Sequence, residues 1–198
     1  MKKGIITIFL CLLLLVPCRN AEGILVDLSE KDIEDAKKVG KERSSTIVDY
    51  LKQCYRFGKE DVFEENGIIR TKWSRLVMFA GLLSARDKQL TEQDKEMIMT
   101  QTDLQINIYT FGNKIDFAKD YKAHLAQKGK IIEPEKISAS HTTYYPMRRV
   151  VSSGFPEYRA TVRSFFPYDK ISLNEKAEIV LVKNKKKVVF EVNFADYK

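Results

Sequence analysis

The stretch Ala177-Glu178-Ile179-Val180-Leu181-Val182-Lys183-Asn184-Lys185-Lys186-Lys187-Val188-Val189-Phe190-Glu191-Val192-Asn193-Phe194 reads as two strands and a turn. Phe190, Val192 and Phe194 alternate with Glu191 and Asn193, the period of a strand with one face on a core. Ala177 to Val182 is apolar at nearly every position, as a strand covered on both faces would be. Between them Lys183 to Lys187 is too polar to bury and supplies the turn.

The same period recurs upstream. Tyr158, Ala160 and Val162 alternate with Arg159, Thr161 and Arg163, and Pro167 is expected to end that strand before a linker from Tyr168 to Asn174. Leu104, Ile106 and Ile108 alternate with Gln105 and Asn107, with Gly112-Asn113 as a turn. Tyr121, Ala123 and Leu125 continue, with Lys122 and His124 on the opposite face, and Lys128-Gly129-Lys130 predicts a hairpin into Ile131 and Ile132. Pro134 places an edge or bend there, and residues 138–156 read as a loop. Several short antiparallel strands with frequent turns predict a carboxy-terminal β-sandwich over residues 102–198, immunoglobulin-like in outline. The inter-sheet cysteine pair and strand tryptophan of true immunoglobulin domains are missing.

Residues 24–101 carry helical spacing instead. Ser29 with Asp32 forms a capping-box pattern ahead of Ile33, Ala36 and Val39, and Gly40 is expected to end or loosen that helix. Ile47, Leu51, Cys54 and Tyr55 follow at helical intervals, with Gly58 as a terminating cap. Lys59 to Gly67 is an acidic link holding Glu60, Asp61, Glu64 and Glu65, without the alternating ligands and glycine of a calcium loop. Trp73 to Ala85 is apolar around most of its circumference, which suits a buried helix, whereas Ile68 to Val77 also suits the start of a sheet; periodicity leaves both open. Thr91 with Asp94 opens a short helix ending near Met99. The expected class is therefore α+β, with amino-terminal helices packed on the sandwich as one compact unit.

Residues 1–18 read as a secretory signal peptide. Lys2 and Lys3 precede an apolar run from Ile5 to Val16, shorter than the roughly 20 residues that span a bilayer. Cleavage is expected between 18 and 21. Leu15-Val16-Pro17-Cys18 also resembles the end of a bacterial lipoprotein signal, which makes Cys18 a lipidation candidate, although Pro17 stands where that pattern has Gly, Ala or Ser. The expected location is outside the cytoplasm, either periplasmic or tethered to a membrane as a lipoprotein. Cys54 then remains as a small apolar side chain, with no disulfide framework and no metal site.

The 198-residue chain has a formal charge of +7; without Lys2 and Lys3, 32 basic residues face 27 acidic ones, a net +5. Acids are interspersed throughout, which argues against nucleic acid as the partner. No phosphate loop, nucleophile elbow or paired-histidine zinc motif is present, and no cofactor is implied. His141 is a weak catalytic candidate that needs a serine or carboxylate brought to it by the fold, as in an envelope hydrolase. Tyr144, Tyr145, Arg148, Arg149, Phe155 and Tyr158 make a better recognition surface, because Tyr and Arg dominate interface hot spots. Lys185, Lys186 and Lys187 form a basic hairpin tip suited to anionic lipid or glycan surfaces. The reading is an exported, non-catalytic binding or assembly module whose partner is an envelope protein or glycan.

Overall fold

The computed structural model of the chain describes residues 23–59, 64–143, 156–183 and 185–198. Among them are four α-helices and nine strands in two antiparallel sheets, a mixed α+β fold whose carboxy-terminal part is rich in sheet. The helices are α1 (Glu30–Glu42), α2 (Ile47–Tyr55), α3 (Lys72–Ser84) and α4 (Glu92–Met99). One sheet contains β1 (Arg56–Gly58), β2 (Asn66–Arg70), β3 (Asp103–Gly112), β6 (Lys136–Thr143) and β7 (Tyr158–Pro167), in the order β1-β2-β3-β7-β6. The other contains β4 (Lys122–Gln127), β5 (Lys130–Ile132), β8 (Lys176–Lys183) and β9 (Lys186–Asn193), in the order β5-β4-β8-β9.

Local chemistry explains several boundaries. Ser29 Oγ accepts from the Asp32 backbone N–H at 3.2 Å, while the Ser29 N–H donates to the Asp32 carboxylate at 3.1 Å. Thr91 and Asp94 repeat this reciprocal cap on α4, and such a cap contributes about 1 kcal/mol. The ambiguous segment from Ile68 to Ala85 contains one element of each kind. Ile68 and Ile69 lie in strand β2, and Thr71 caps α3 by accepting from the Ser74 N–H at 3.1 Å. In the closing hairpin Lys185 takes φ 65° at the turn, and Ile179 pairs with Phe190.

Three expectations are revised. Gly40 neither ends nor loosens α1; it is buried against α3, where an added Cβ would lie 2.5 Å from the Val77 carbonyl oxygen. The absent side chain lets the two helices cross closely. Strand pairing also begins before residue 102, because β1 and β2 join the larger sheet beside β3. Residues 136–143, largely assigned to a loop, instead form β6, with His141 opposite Ala160; its core-side positions are Ile137, Ala139 and His141, too weakly apolar against Ser138, Ser140 and Thr142 to mark a period of two.

A single hydrophobic cluster joins the elements. It takes Ile33 and Ala36 from α1, Leu51 from α2, Leu76 and Val77 from α3, Ile106, Ile108 and Val162 from the larger sheet, and Leu125, Ile179 and Phe190 from the smaller. Phe57 of β1 meets Phe190 of β9 edge-on at 5.1 Å. Lys198 secures the carboxy-terminal segment: its Nζ lies 2.7 Å from Asp32 and 5.6 Å from the Trp73 ring centroid, and its carbonyl oxygen accepts from Tyr55 and Thr71. Among the described residues no helix is long and apolar enough to cross a membrane. Cys54 packs partly buried against the hydrophobic cluster, as its helical spacing predicts, and it is also disulfide-bonded, where no bridge was expected.

Candidate functional site: the arginine face of the larger sheet

Strand register sorts the larger sheet into two chemically different faces. Leu104, Ile106, Ile108 and Thr110 of β3 are buried on one side with Ala160, Val162, Ser164 and Phe166 of β7. On the other side the rows across β2, β3, β7 and β6 read Arg70–Gln105–Phe165–Lys136, Ile68–Asn107–Arg163–Ser138 and Asn66–Tyr109–Thr161–Ser140. A further row, Phe111–Arg159–Thr142, continues across β3, β7 and β6. These rows contain no acid. The nearest on the strands is Asp103, one row beyond and opposite Pro167.

Arg159, Arg75 and Arg70 are held by neutral groups. The Arg159 guanidinium carbon lies 4.1 Å from the Tyr109 ring centroid, a cation–π contact that fixes the side chain across the sheet. Arg75 reaches over from α3 and donates to Gln105 Oε1 at 2.9 Å, and Gln105 Nε2 donates to Asn107 Oδ1 at 2.6 Å. Arg70 Nη1 approaches Met78 Sδ at 2.9 Å. Lys136 Nζ sits 5.8 Å from the Phe165 ring centroid. Among the described residues Arg70, Arg75, Arg159 and Arg163 have no ion-pair partner.

Electrostatics follow from this arrangement. Burial pushes the Arg70 and Arg75 guanidinium groups below their ordinary pKa; Tyr109 opposes this at Arg70, as do Tyr168 and Asp103 at Arg75. Arg70 and Arg75 also repel one another. Partly desolvated, unneutralised like charges of this kind favour an incoming anion, and guanidinium matches carboxylate or phosphate oxygens in a bidentate fork. Arg159 and Arg163 are about 13 Å apart along β7, and β2 lies about 10 Å from β7 across the sheet. That spacing suits an extended ligand with repeated negative groups better than a single small anion.

The residues singled out in the sequence fall elsewhere. His141 is half-buried on the core-side face of β6; its Nε2 accepts from the Ala118 N–H at 3.3 Å and its ring stands edge-on to Phe117 at 5.7 Å. Among the described residues no hydrogen bond joins it to a serine, cysteine or carboxylate. Tyr158 is half-buried on that same face, opposite Gly112 and Thr143 and away from Arg159. Lys185, Lys186 and Lys187 are exposed at the hairpin tip, while the neighbouring Lys183 is occupied by an ion pair with Glu65. Cys18, Tyr144, Tyr145, Arg148, Arg149 and Phe155 lie outside the described residues, as do Glu60 and Asp61 of the acidic link. Among the described residues no group of three or more His, Cys, Asp or Glu side chains is placed to hold a metal ion.

The arginine face was only half legible in the sequence. Alternation on β7 exposes Arg159 and Arg163, but their company depends on the strand order β2-β3-β7, which joins Arg70 to residues some ninety positions later. Comparison with protein-family models, with curated proteins and with solved structures gives no match.

Proposed function

We propose that this is an exported cell-envelope protein, a non-catalytic binding module that holds an anionic envelope glycan on the arginine face of its larger sheet. One observation carries the reading: Arg70, Arg75, Arg159 and Arg163 gather on and over four rows that hold no acid, with Asp103 one row beyond, and none of the four has an ion-pair partner among the described residues. Arginine would take carboxylate or phosphate groups, while Gln105, Thr161, Ser138 and Ser140 offer amide and hydroxyl partners to sugar hydroxyls. In this reading the two sheets form a β-sandwich of immunoglobulin-like outline. Support for that comes from the Phe57–Phe190 contact and the shared core cluster. Export rests on the leader pattern of residues 1–18.

The test is retention of the mature chain on immobilised polygalacturonate across a salt series. Replacing Arg159 and Arg163 with Gln should weaken binding at least about tenfold per arginine. Replacing Lys185 and Lys186 with Gln should change it little. The opposite ranking transfers the site to the hairpin tip, and absence of binding by the wild type refutes a uronate ligand. Intact mass of the membrane and soluble fractions tests export and lipidation at Cys18. The second reading, hydrolysis at His141, is favoured by no contact in the site.

A further inference from the structure

Strand β9 ends the smaller sheet, pairing with β8 on one side and with no strand on the other among the described residues. Its eight residues contain no proline. Val189 is 49% exposed on its outward face. An edge this long and regular is a template for a further strand unless something blunts it. A cleft of about 390 Å³ runs beside it, between Gly58, Lys59, Glu64 and Glu65 on one wall and Val188 to Glu191 on the other.

The outward face of β9 carries Lys187, Val189 and Glu191, in that order. Register places Glu191 directly across from Glu178 of β8, and like charges in that position destabilise a sheet. Among the described residues neither glutamate has an ion pair, nor does Lys187. The edge therefore ends in an unneutralised acid at one end and an unneutralised base at the other, with an exposed valine midway.

We infer that β9 pairs antiparallel with β9 of a second copy of this chain, about a two-fold axis at Val189. In that register Lys187 of each copy faces Glu191 of the other, the two Val189 side chains meet, and Val188 faces Phe190 on the inner side. Glu178, Glu191 and the partner's Lys187 then form one row, which relieves the repulsion within each copy. Centring on Phe190 instead sets Val189 against Glu191, and centring on Val188 sets Lys187 against Val189. Charge thus selects one register, and the interface is isologous, as a two-fold dimer requires. The two four-stranded sheets merge into one continuous sheet. Two paired edge strands bury little surface, so the dimer belongs with weak, reversible associations.

Sedimentation velocity of the mature chain, from micromolar to millimolar, is the test. The wild type should pass from monomer to dimer. Lys187→Glu and Glu191→Lys should each weaken association about tenfold, since each turns two attractions into repulsions. An equimolar mixture of the two variants should regain the dimer, because the wholly acidic edge of one copy then faces the wholly basic edge of the other. Both positions are exposed, and unchanged circular dichroism would verify that the variants fold. A wild type that stays monomeric at millimolar concentration overturns the inference; so do single variants that dimerise like the wild type, or a mixture that gains nothing.

Discussion

A methyl group added at Gly40 should destabilise the protein although it improves the helix. The built Cβ lies 2.5 Å from the Val77 carbonyl oxygen, 2.7 Å from Ala80 Cβ and 2.9 Å from the Gly81 nitrogen. Two of those atoms belong to the α3 backbone and cannot rotate away. Ordinary contact begins near 3.4 Å, so α1 and α3 would have to separate by roughly 1 Å or bend, and overpacking of this kind costs about 1–3 kcal/mol. Ala gains about 1 kcal/mol over Gly in a helix interior. With the obstacle rigid, the overpacking cost lies at its upper end, which leaves a net loss of about 2 kcal/mol. For a domain of this size that lowers Tm by about 4–8 °C. Thermal unfolding of Gly40→Ala, followed by circular dichroism, measures it. A Tm equal to or above the wild type would mean that helix propensity wins and that the close crossing at Gly40 carries no energetic weight.

Other consequences are equally accessible. The Lys198 ammonium and the Ser29 cap hold the Asp32 carboxyl down at about 2, against an ordinary 3.8. A depressed carboxylate contributes stability that is present above its unfolded pKa and lost as pH falls through the folded one. The stability gap between wild type and Asp32→Asn, measured by urea unfolding, should therefore hold steady above about pH 5 and close between about 4 and 2. In a double-mutant cycle Asp32→Asn and Lys198→Ala should show a coupling of about 0.5–1 kcal/mol; additive effects would dissolve the pair. Cys54 is disulfide-bonded in the full-length chain, so maleimide should label it there only after reduction, and full labelling of the unreduced full-length protein would contradict that bond.

Legibility in the sequence followed the reach of the interactions involved. Both capping boxes and the β8–β9 hairpin were readable because each is settled within a few residues of itself, by Ser29 with Asp32, Thr91 with Asp94, and the polar tip at Lys185. Strand β1 has no local signature because three residues show no period; it is placed by its pairing with β2 and by Phe57 against Phe190. The segment at Thr71 is apolar on both sides, so hydrophobic pattern alone could not separate β2 from α3. The arginine face needed the pairings of β2 with β3 and of β3 with β7, which no local pattern encodes.

Those same pairings affect how quickly the chain becomes itself. Asp103 waits for Pro167, Lys122 for Val182, and Asp32 for Lys198. Ordering contacts over such separations is slow compared with closing helices or local hairpins. Until Lys198 and β8 have been made, α1 has no Lys198 to hold it and β4 has no β8. Neither sheet can be completed until β7 and β8 are available, so early folding of this chain is confined to its helices and its local turns and hairpins.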